Sequence, residues 1–421
     1  MTAGQPTLPL DLAALQTARE RIAGAVLATP LWANDPLSRE LAAPIHIKLE
    51  NLQRTGSFKL RGASHKIDCL LRAGRPLSGV IAASAGNHAQ GVARAAMVAG
   101  LPATVVMPEN APLTKIESCK SLGAEVILHG EQLEAARAEA ERLAAGRGLA
   151  FIHPYDDWEI VAGQAGVGLE ILEALPACTQ IVVPLGGGGL ISGIALAVKL
   201  QRPDVRIVGV QADKVAPWRH FLDDGGLDAI PADAHTIADG IKVKSPGRLT
   251  RQVIARFVDA IVTVDDNAIA EAMVTLLERT RTLGEGAGVV GLAALMRGLV
   301  PLPADAPTVV VISGGNTDMT LIGRSIDYGL ASSGRLMSVA VLTPDTPGRL
   351  AALLGLVAGH GMNIRHVEHR RGELHVPVGM TEIILQIETR NPAHQRELLD
   401  HFAQLGLRAR NLLDPGGPAP G

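Results

Sequence analysis

Aromatic residues make up only 2% of this 421-residue chain, so its core must be packed from aliphatic side chains rather than from rings. Cysteine is scarcer still. Cys69, Cys119 and Cys178 are odd in number, far apart and without a C-x-x-C, which argues against a disulfide framework and against a zinc site. A net charge of −3 gives no concentrated basic face for phosphate backbones, so nucleic acid is not an expected partner. No uncharged run is suited to cross a membrane, because the longest, "IVVPLGGGGLISGIALAV", is broken by a proline and four consecutive glycines. The N-terminus shows no basic region followed by an apolar segment, so no secretory signal is expected and the cytoplasm is the expected compartment.

Against these lacks stand 47% hydrophobic residues and 46 glycines, enough for a large core with many tight turns. The length predicts two or three compact units. From residue 45 to about 330, short aliphatic runs such as "GVIAA", "ATVVMP", "IVVPLG", "VRIVGVQ" and "TVVVISGG" alternate with helical patterns such as "NHAQGVARAAMVAG". Strand and helix alternation of this kind predicts parallel sheets covered on both faces, with ligands at the carboxyl ends of the strands. Residues 1–330 are read as one catalytic domain, with residues 78–152 forming a small subdomain inside it.

The small, polar residues 331–335 are read as a linker, and the pattern then changes. Residues 336–412 run strand, helix, strand, strand, helix, strand, which is the ferredoxin-like βαββαβ order. Thr346 is expected as the N-cap of the first helix, with Pro347 at its first position and Gly361 closing it. Residues 413–421 are expected to be a disordered tail.

Four stretches carry candidate chemistry. In "TGSFKLRGA", residues 55–63, Lys59 follows Phe58 among small residues. It reads plainly as a solvated lysine at a helix start; withdrawn from water, its amine would lose charge and could attack an aldehyde. In "SAGNHAQG", residues 84–91, a helix opens after a strand; Ser84 or Asn87 can cap it, or its amides can receive a carboxylate. In "GGGGL", Gly186, Gly187, Gly188, Gly189 and Leu190, consecutive amides can turn toward one phosphate, whereas a tight turn needs only one or two glycines. Neither the dinucleotide pattern nor the P-loop pattern fits there, since Ile191 or Ser192 takes the third glycine's place and no Gly-Lys-Ser/Thr follows. In "SGGN", residues 313–316, Ser313 ends a strand where a hydroxyl can meet a heteroaromatic nitrogen, and Asn316 can cap the next helix.

Together, and above all through "ENLQRTGSFKLRGA", these stretches resemble the fold-type II pyridoxal-phosphate enzymes and, among them, the threonine dehydratase (threonine ammonia-lyase) group, from about residue 20 to 410. The resemblance implies an α/β fold of parallel-sheet subdomains followed by a ferredoxin-like ACT domain. It makes pyridoxal 5′-phosphate the cofactor and Lys59 both its covalent anchor and the general base. Phe58, Asn87, Gly186 to Leu190 and Ser313 become cofactor contacts, with Asn87 at the 3′-oxygen, the glycines at the phosphate and Ser313 at the ring nitrogen. Ser84, Ala85, Gly86, Asn87 and His88 become the loop for the substrate carboxylate. Asp239, Gly240 and Glu285 become active-site neighbours, with capping as the alternative for Asp239 and Glu285. "DTPGRL" and "GMNI" mark the ACT unit, where Asp345, Gly348 and Asn363 form the candidate effector site.

The implied reaction is elimination and deamination of L-threonine to 2-oxobutanoate and ammonia, with L-serine giving pyruvate, in amino-acid metabolism such as isoleucine biosynthesis. A serine or hydroxyaspartate dehydratase of the same fold is the alternative, and a non-catalytic amino-acid sensor the remote one. Two departures matter. Ala85 stands where related serine racemases carry a second serine, which argues against racemisation. Gln211 stands where metal-dependent relatives carry a glutamate, so no divalent metal site is expected. The implied partners are an amino-acid substrate, an amino-acid effector at the ACT domain and identical subunits, as a homodimer or homotetramer.

Overall fold

The computed structural model describes residues 8–413. The chain divides into two compact units between Asp318 and Met319.

The first unit holds two sheets. The larger orders its strands Leu31–Ala33, Ile45–Leu49, Thr308–Ile312, Gln180–Pro184, Arg206–Ala212 and Ala260–Val264. All neighbours run parallel except Leu31–Ala33, an antiparallel edge strand whose three residues were too few to show a pattern in the sequence. The expected parallel sheet thus carries one antiparallel strand at its edge. The smaller sheet, Glu125–Leu128, Ala103–Met107, Val80–Ala83 and Ala150–Phe151, is parallel throughout.

The four buried residues of strand Val80–Ala83 and the five of Gln180–Pro184 explain why these segments read as continuous apolar runs: helices cover both faces. The core is aliphatic, as the shortage of rings requires; Val161, Ile171, Ile181, Ile191, Ile194 and Val311 lie buried together in its largest cluster. Helix Lys59–Arg72 lies between the larger-sheet strand Ile45–Leu49 and the first strand of the smaller sheet, Val80–Ala83. It packs on helices Asn87–Ala99 and Trp158–Gln164, and the Phe58 amide just before it donates to the Ser313 carbonyl at the end of strand Thr308–Ile312.

The second unit contains helix Met319–Ser332 and an antiparallel sheet ordered Asn363–Arg370, Met380–Glu388, Leu336–Pro344, Arg408–Asn411, with helices Arg349–Gly359 and Pro392–Gln404. That is the βαββαβ topology. Two expectations need correction. Ala331 and Ser332 are helical, and helix Met319–Ser332 packs on strand Leu336–Pro344, so the division falls well before the expected linker at 331–335. The N-cap is Gly348, at φ +87°, not Thr346. Residues 346–349 close a turn first, with the Arg349 amide donating to the Thr346 carbonyl at 3.4 Å, so the helix begins at Arg349. Gly361, at φ +68°, follows the helix end as expected. Of the expected tail 413–421, Leu413 lies in a turn and residues 414–421 lie outside the described residues. No helix among the described residues is long and apolar enough to cross a membrane.

Candidate active site

Lys59 is the first residue of its helix, and its half-buried ammonium donates to the Pro154 carbonyl at 2.9 Å. Phe58 precedes it, with its ring centroid 5.2 Å from the Lys59 nitrogen. Burial pushes Lys59 down from 10.5 to about 8, against the opposing pull of the Glu285 carboxylate. Roughly a tenth of the amine is therefore neutral at pH 7.

The glycine run follows strand Gln180–Pro184 and opens helix Gly189–Lys199, with Gly188 at φ +94° as the N-cap. Gly186 to Leu190 are all buried. Among the described residues the amides of Gly186, Gly187 and Gly188 reach no backbone acceptor, while the carbonyls of Gly186 and Gly187 accept from Trp218 Nε1 at 2.8 Å and Thr250 Oγ1 at 2.9 Å. A Cβ on Gly187 would fall 2.3 Å from the Tyr155 ring, so that position tolerates no side chain. The result is a cup of free, buried N–H groups at a helix N-terminus, which is an anion site.

Asn87 opens helix Asn87–Ala99, with Gly86 as N-cap. Its side chain does not cap. It donates to Glu285 Oε1 at 2.5 Å and accepts from Asn316 Nδ2 at 2.8 Å. Ser84 turns inward to accept from the Gly86 amide at 3.1 Å, Ala85 packs on the small-sheet core, and buried His88 meets the Ile152 carbonyl at 2.8 Å. Burial, aided by the Lys59 and His153 charges, pushes His88 down to about 3, so it stays neutral.

Glu285 stands at the N-terminus of helix Gly286–Met296 without capping it, its side chain turned to Asn87 instead. Burial, with Asp239 adding repulsion, pushes its carboxyl up to about 7 against Asn87, Lys115 and Lys59. Asp239 starts the short 3₁₀ turn Asp239–Ile241 and is likewise raised by desolvation; a Cβ on Gly240 would meet Ala287 Cβ at 2.9 Å. Ser313 is buried at the end of strand Thr308–Ile312, its carbonyl accepting from the Phe58 amide at 3.2 Å. One site thus gathers Lys59, Asn87, Glu285 and Ser313, with the glycine cup beside Tyr155.

Several contributors left no sequence signal. Segment 152–156 binds His88 through Ile152, holds Lys59 through Pro154, stacks Tyr155 on the glycines and caps helix Arg248–Phe257 through Asp156, whose carboxylate accepts from the Arg248 and Leu249 amides at 2.9 and 2.8 Å. Two residues beyond Lys59, Arg61 enters a fully buried network. It donates to Glu50 at 2.8 Å through two nitrogens and to Glu170 at 2.6 and 2.9 Å, while Lys48 donates to Glu170 at 2.5 Å. Burial alone would raise the Glu50 carboxyl, but the Arg61 and Lys48 charges hold it below its usual value.

Gln211 is buried, with Oε1 accepting from the Trp218 amide at 3.0 Å and Nε2 unpartnered. Among the described residues no group of three or more His, Cys, Asp or Glu is placed to hold a metal. In the second unit, Asp345, Gly348 and Asn363 are exposed; Asp345 pairs with Arg371 at 2.9 Å and Asn363 donates to Glu388 at 3.2 Å.

The family of pyridoxal-phosphate dependent enzymes matches residues 22–314, and the ACT domain family matches residues 337–405. An L-threonine ammonia-lyase of Thermotoga maritima is 43% identical over 389 residues, covering 92% of this chain and 96% of its own. Among solved structures, the processed form of threonine deaminase isoform 2 from Solanum lycopersicum superposes with a TM-score of 0.71 at 31% identity, covering 77% of this chain and 95% of that one. A maize serine racemase does so with 0.71 at 33% identity, covering 77% and 99%.

Proposed function

The chain belongs to the pyridoxal-phosphate-dependent enzymes, with an ACT domain in its C-terminal unit, and on that premise we propose that it deaminates L-threonine to 2-oxobutanoate and ammonia, with L-serine giving pyruvate as a side reaction. The single observation that carries this reading is the half-buried Lys59, held near pKa 8, in one site with a cup of free amides.

The residues fit the cofactor. Its phosphate would satisfy the buried, acceptorless amides of Gly186 to Gly188, in a cup that a Cβ at Gly187 would close. Asn87 and Ser313 would meet the polar atoms of its ring, Phe58 would lie beside it, and Lys59 would anchor it. When bound, pyridoxal phosphate supplies an electron sink for the pair left at the substrate Cα.

The chain's own residues do the rest. The amides of loop 84–88 receive the substrate carboxylate at the start of helix Asn87–Ala99. Lys59 would take the proton from Cα as general base, a task suited to an amine whose pKa of about 8 lies near physiological pH. Ser313 presents a neutral hydroxyl, which would leave a ring nitrogen unprotonated and would favour elimination over transamination. Loss of the β-hydroxyl as water leaves an enamine that tautomerises to the imine, and addition of water to that imine expels ammonia and leaves 2-oxobutanoate.

Ala85 supports elimination over racemisation, since a methyl group cannot return a proton on the second face. Incubation with L-threonine, L-serine and 3-hydroxyaspartate, with quantitation of the 2-oxo acids, tests the reading. Threonine turned over with the highest kcat/KM supports it; preference for either other substrate makes the chain a serine or hydroxyaspartate dehydratase. The same reading assigns a cytoplasmic homodimer or homotetramer whose C-terminal unit binds a hydrophobic amino acid near Asp345, Gly348 and Asn363. It also assigns no divalent metal, because the Gln211 amide carries no charge.

A further inference from the structure

Asn316 shows why Asn87 points the way it does. Its Nδ2 donates to the Thr55 carbonyl at 2.7 Å and to Asn87 Oδ1 at 2.8 Å, while Asn87 Nδ2 donates to Glu285. A carbonyl can only accept, so Thr55 fixes the Asn316 amide. Asn316 in turn fixes Asn87: reversed, that side chain would set its NH2 against another NH2 and its carbonyl against a carboxylate. The backbone of Asn316 is held as well, its carbonyl accepting from Lys115 Nζ at 2.6 Å.

The chain is shaped around this row of groups. Gly56, at φ +71°, leaves open the space that Asn316 fills, since a Cβ there would fall 2.3 Å from Asn316 Oδ1. Gly314 does the same for Glu285, with a Cβ 2.3 Å from Oε1.

We propose that Asn316 is a positioning residue that, by donating to Asn87 Oδ1, keeps the Asn87 NH2 on Glu285 and thereby sets the protonation of that carboxylate beside Lys59. The inference rests on the proposed active-site reading. The charged groups acting on Glu285 are Lys115 and Lys59, which favour its ionised form, and Asp239, which opposes it. None of them depends on how Asn87 is turned. A donor on a carboxylate favours the ionised form, so releasing Asn87 raises the Glu285 pKa.

The test follows the Glu285 carboxyl in the holoenzyme by infrared difference titration, the band being assigned by its loss in Glu285→Gln. In Asn316→Ala, which adds no charge, the midpoint is expected to rise roughly one unit above the parent, and the acid limb of the kcat/KM profile to move with it. In an Asn87→Ala background the same substitution is expected to move the midpoint by less than about 0.2 unit, as a double-mutant cycle requires. Should Asn316→Ala not fold, Asn316→Leu keeps roughly the volume, adds no charge and offers no donor, and is expected to raise the midpoint in the same way. A midpoint unchanged in whichever variant folds, or moved equally with and without Asn87, overturns the proposal. Failure of the functional reading shows separately, as a parent chain that carries no pyridoxyl group on Lys59 after borohydride reduction.

Discussion

Lys59 and Arg61 lie two residues apart on one helix, both withdrawn from water, and their pKa values move in opposite directions. Arg61 meets two carboxylates, Glu50 and Glu170, which offset the loss of hydration and hold it charged. Lys59 has one backbone carbonyl and the pull of one carboxylate, Glu285, so desolvation wins and its pKa falls to about 8. Burial with full pairing yields a structural cation; burial with partial pairing yields a reactive amine. The helix carries both because the paired residue fixes the first turn on which the reactive one is displayed.

Breaking the reactive member has the largest expected effect. Lys59→Ala removes the proposed anchor and base together, so deamination is expected to fall by more than about 10³-fold, with the unfolding midpoint of the chain unchanged. Turnover assays and thermal unfolding on the same preparation check this.

Breaking the structural member has the converse outcome. Arg61→Met leaves Glu50 buried beside only the Lys48 charge, and a loss of about 3–5 kcal/mol is expected in denaturant titration. The pH slope should change sign as well. In the parent, Glu50 is held below its ordinary value, so its contribution is present above pH 4.5 and lost as pH falls through the lowered value. Without Arg61, burial raises the carboxyl instead, and stability is expected to be lost as pH rises through that raised pKa.

The glycine cup sharpens the comparison at its other end. Gly187→Ala drives a methyl group into the Tyr155 ring, and cofactor affinity is expected to fall about tenfold, a loss near 1.4 kcal/mol by equilibrium dialysis. The smallest effect concerns the pairing left to Lys59. Glu285→Gln removes the carboxylate that favours the ammonium, so the pH midpoint for cofactor capture by the cofactor-free chain is expected to move below about 8. Stopped-flow capture rates against pH read it directly.

Legibility in the sequence followed locality. Lys59 and the four glycines were readable because each signal is a short run with one physical meaning at a strand or helix end. The buried network was not, since Arg61 meets Glu50 across 11 residues and Glu170 across 109. Asn316 read as a helix cap from its neighbours alone. Its real partners, Asn87 and Thr55, lie 229 and 261 residues away. The strands of the large sheet were visible as aliphatic runs, whereas Leu31–Ala33, with an intermediate and two exposed residues, carries no such run. In the second unit, Thr346 and Pro347 have the right chemistry for a helix start, but the positive φ of Gly348 moved that start to Arg349.

The account rests on Lys59 being the reactive amine among several lysines, and borohydride reduction of the holoenzyme followed by peptide mass mapping tests it most directly. The expected result is one pyridoxyl group, on the peptide that contains Lys59, while the well-paired Lys48 and Lys66 stay unmodified. A pyridoxyl group on Lys48, Lys66 or Lys115, or on no peptide at all, would contradict it.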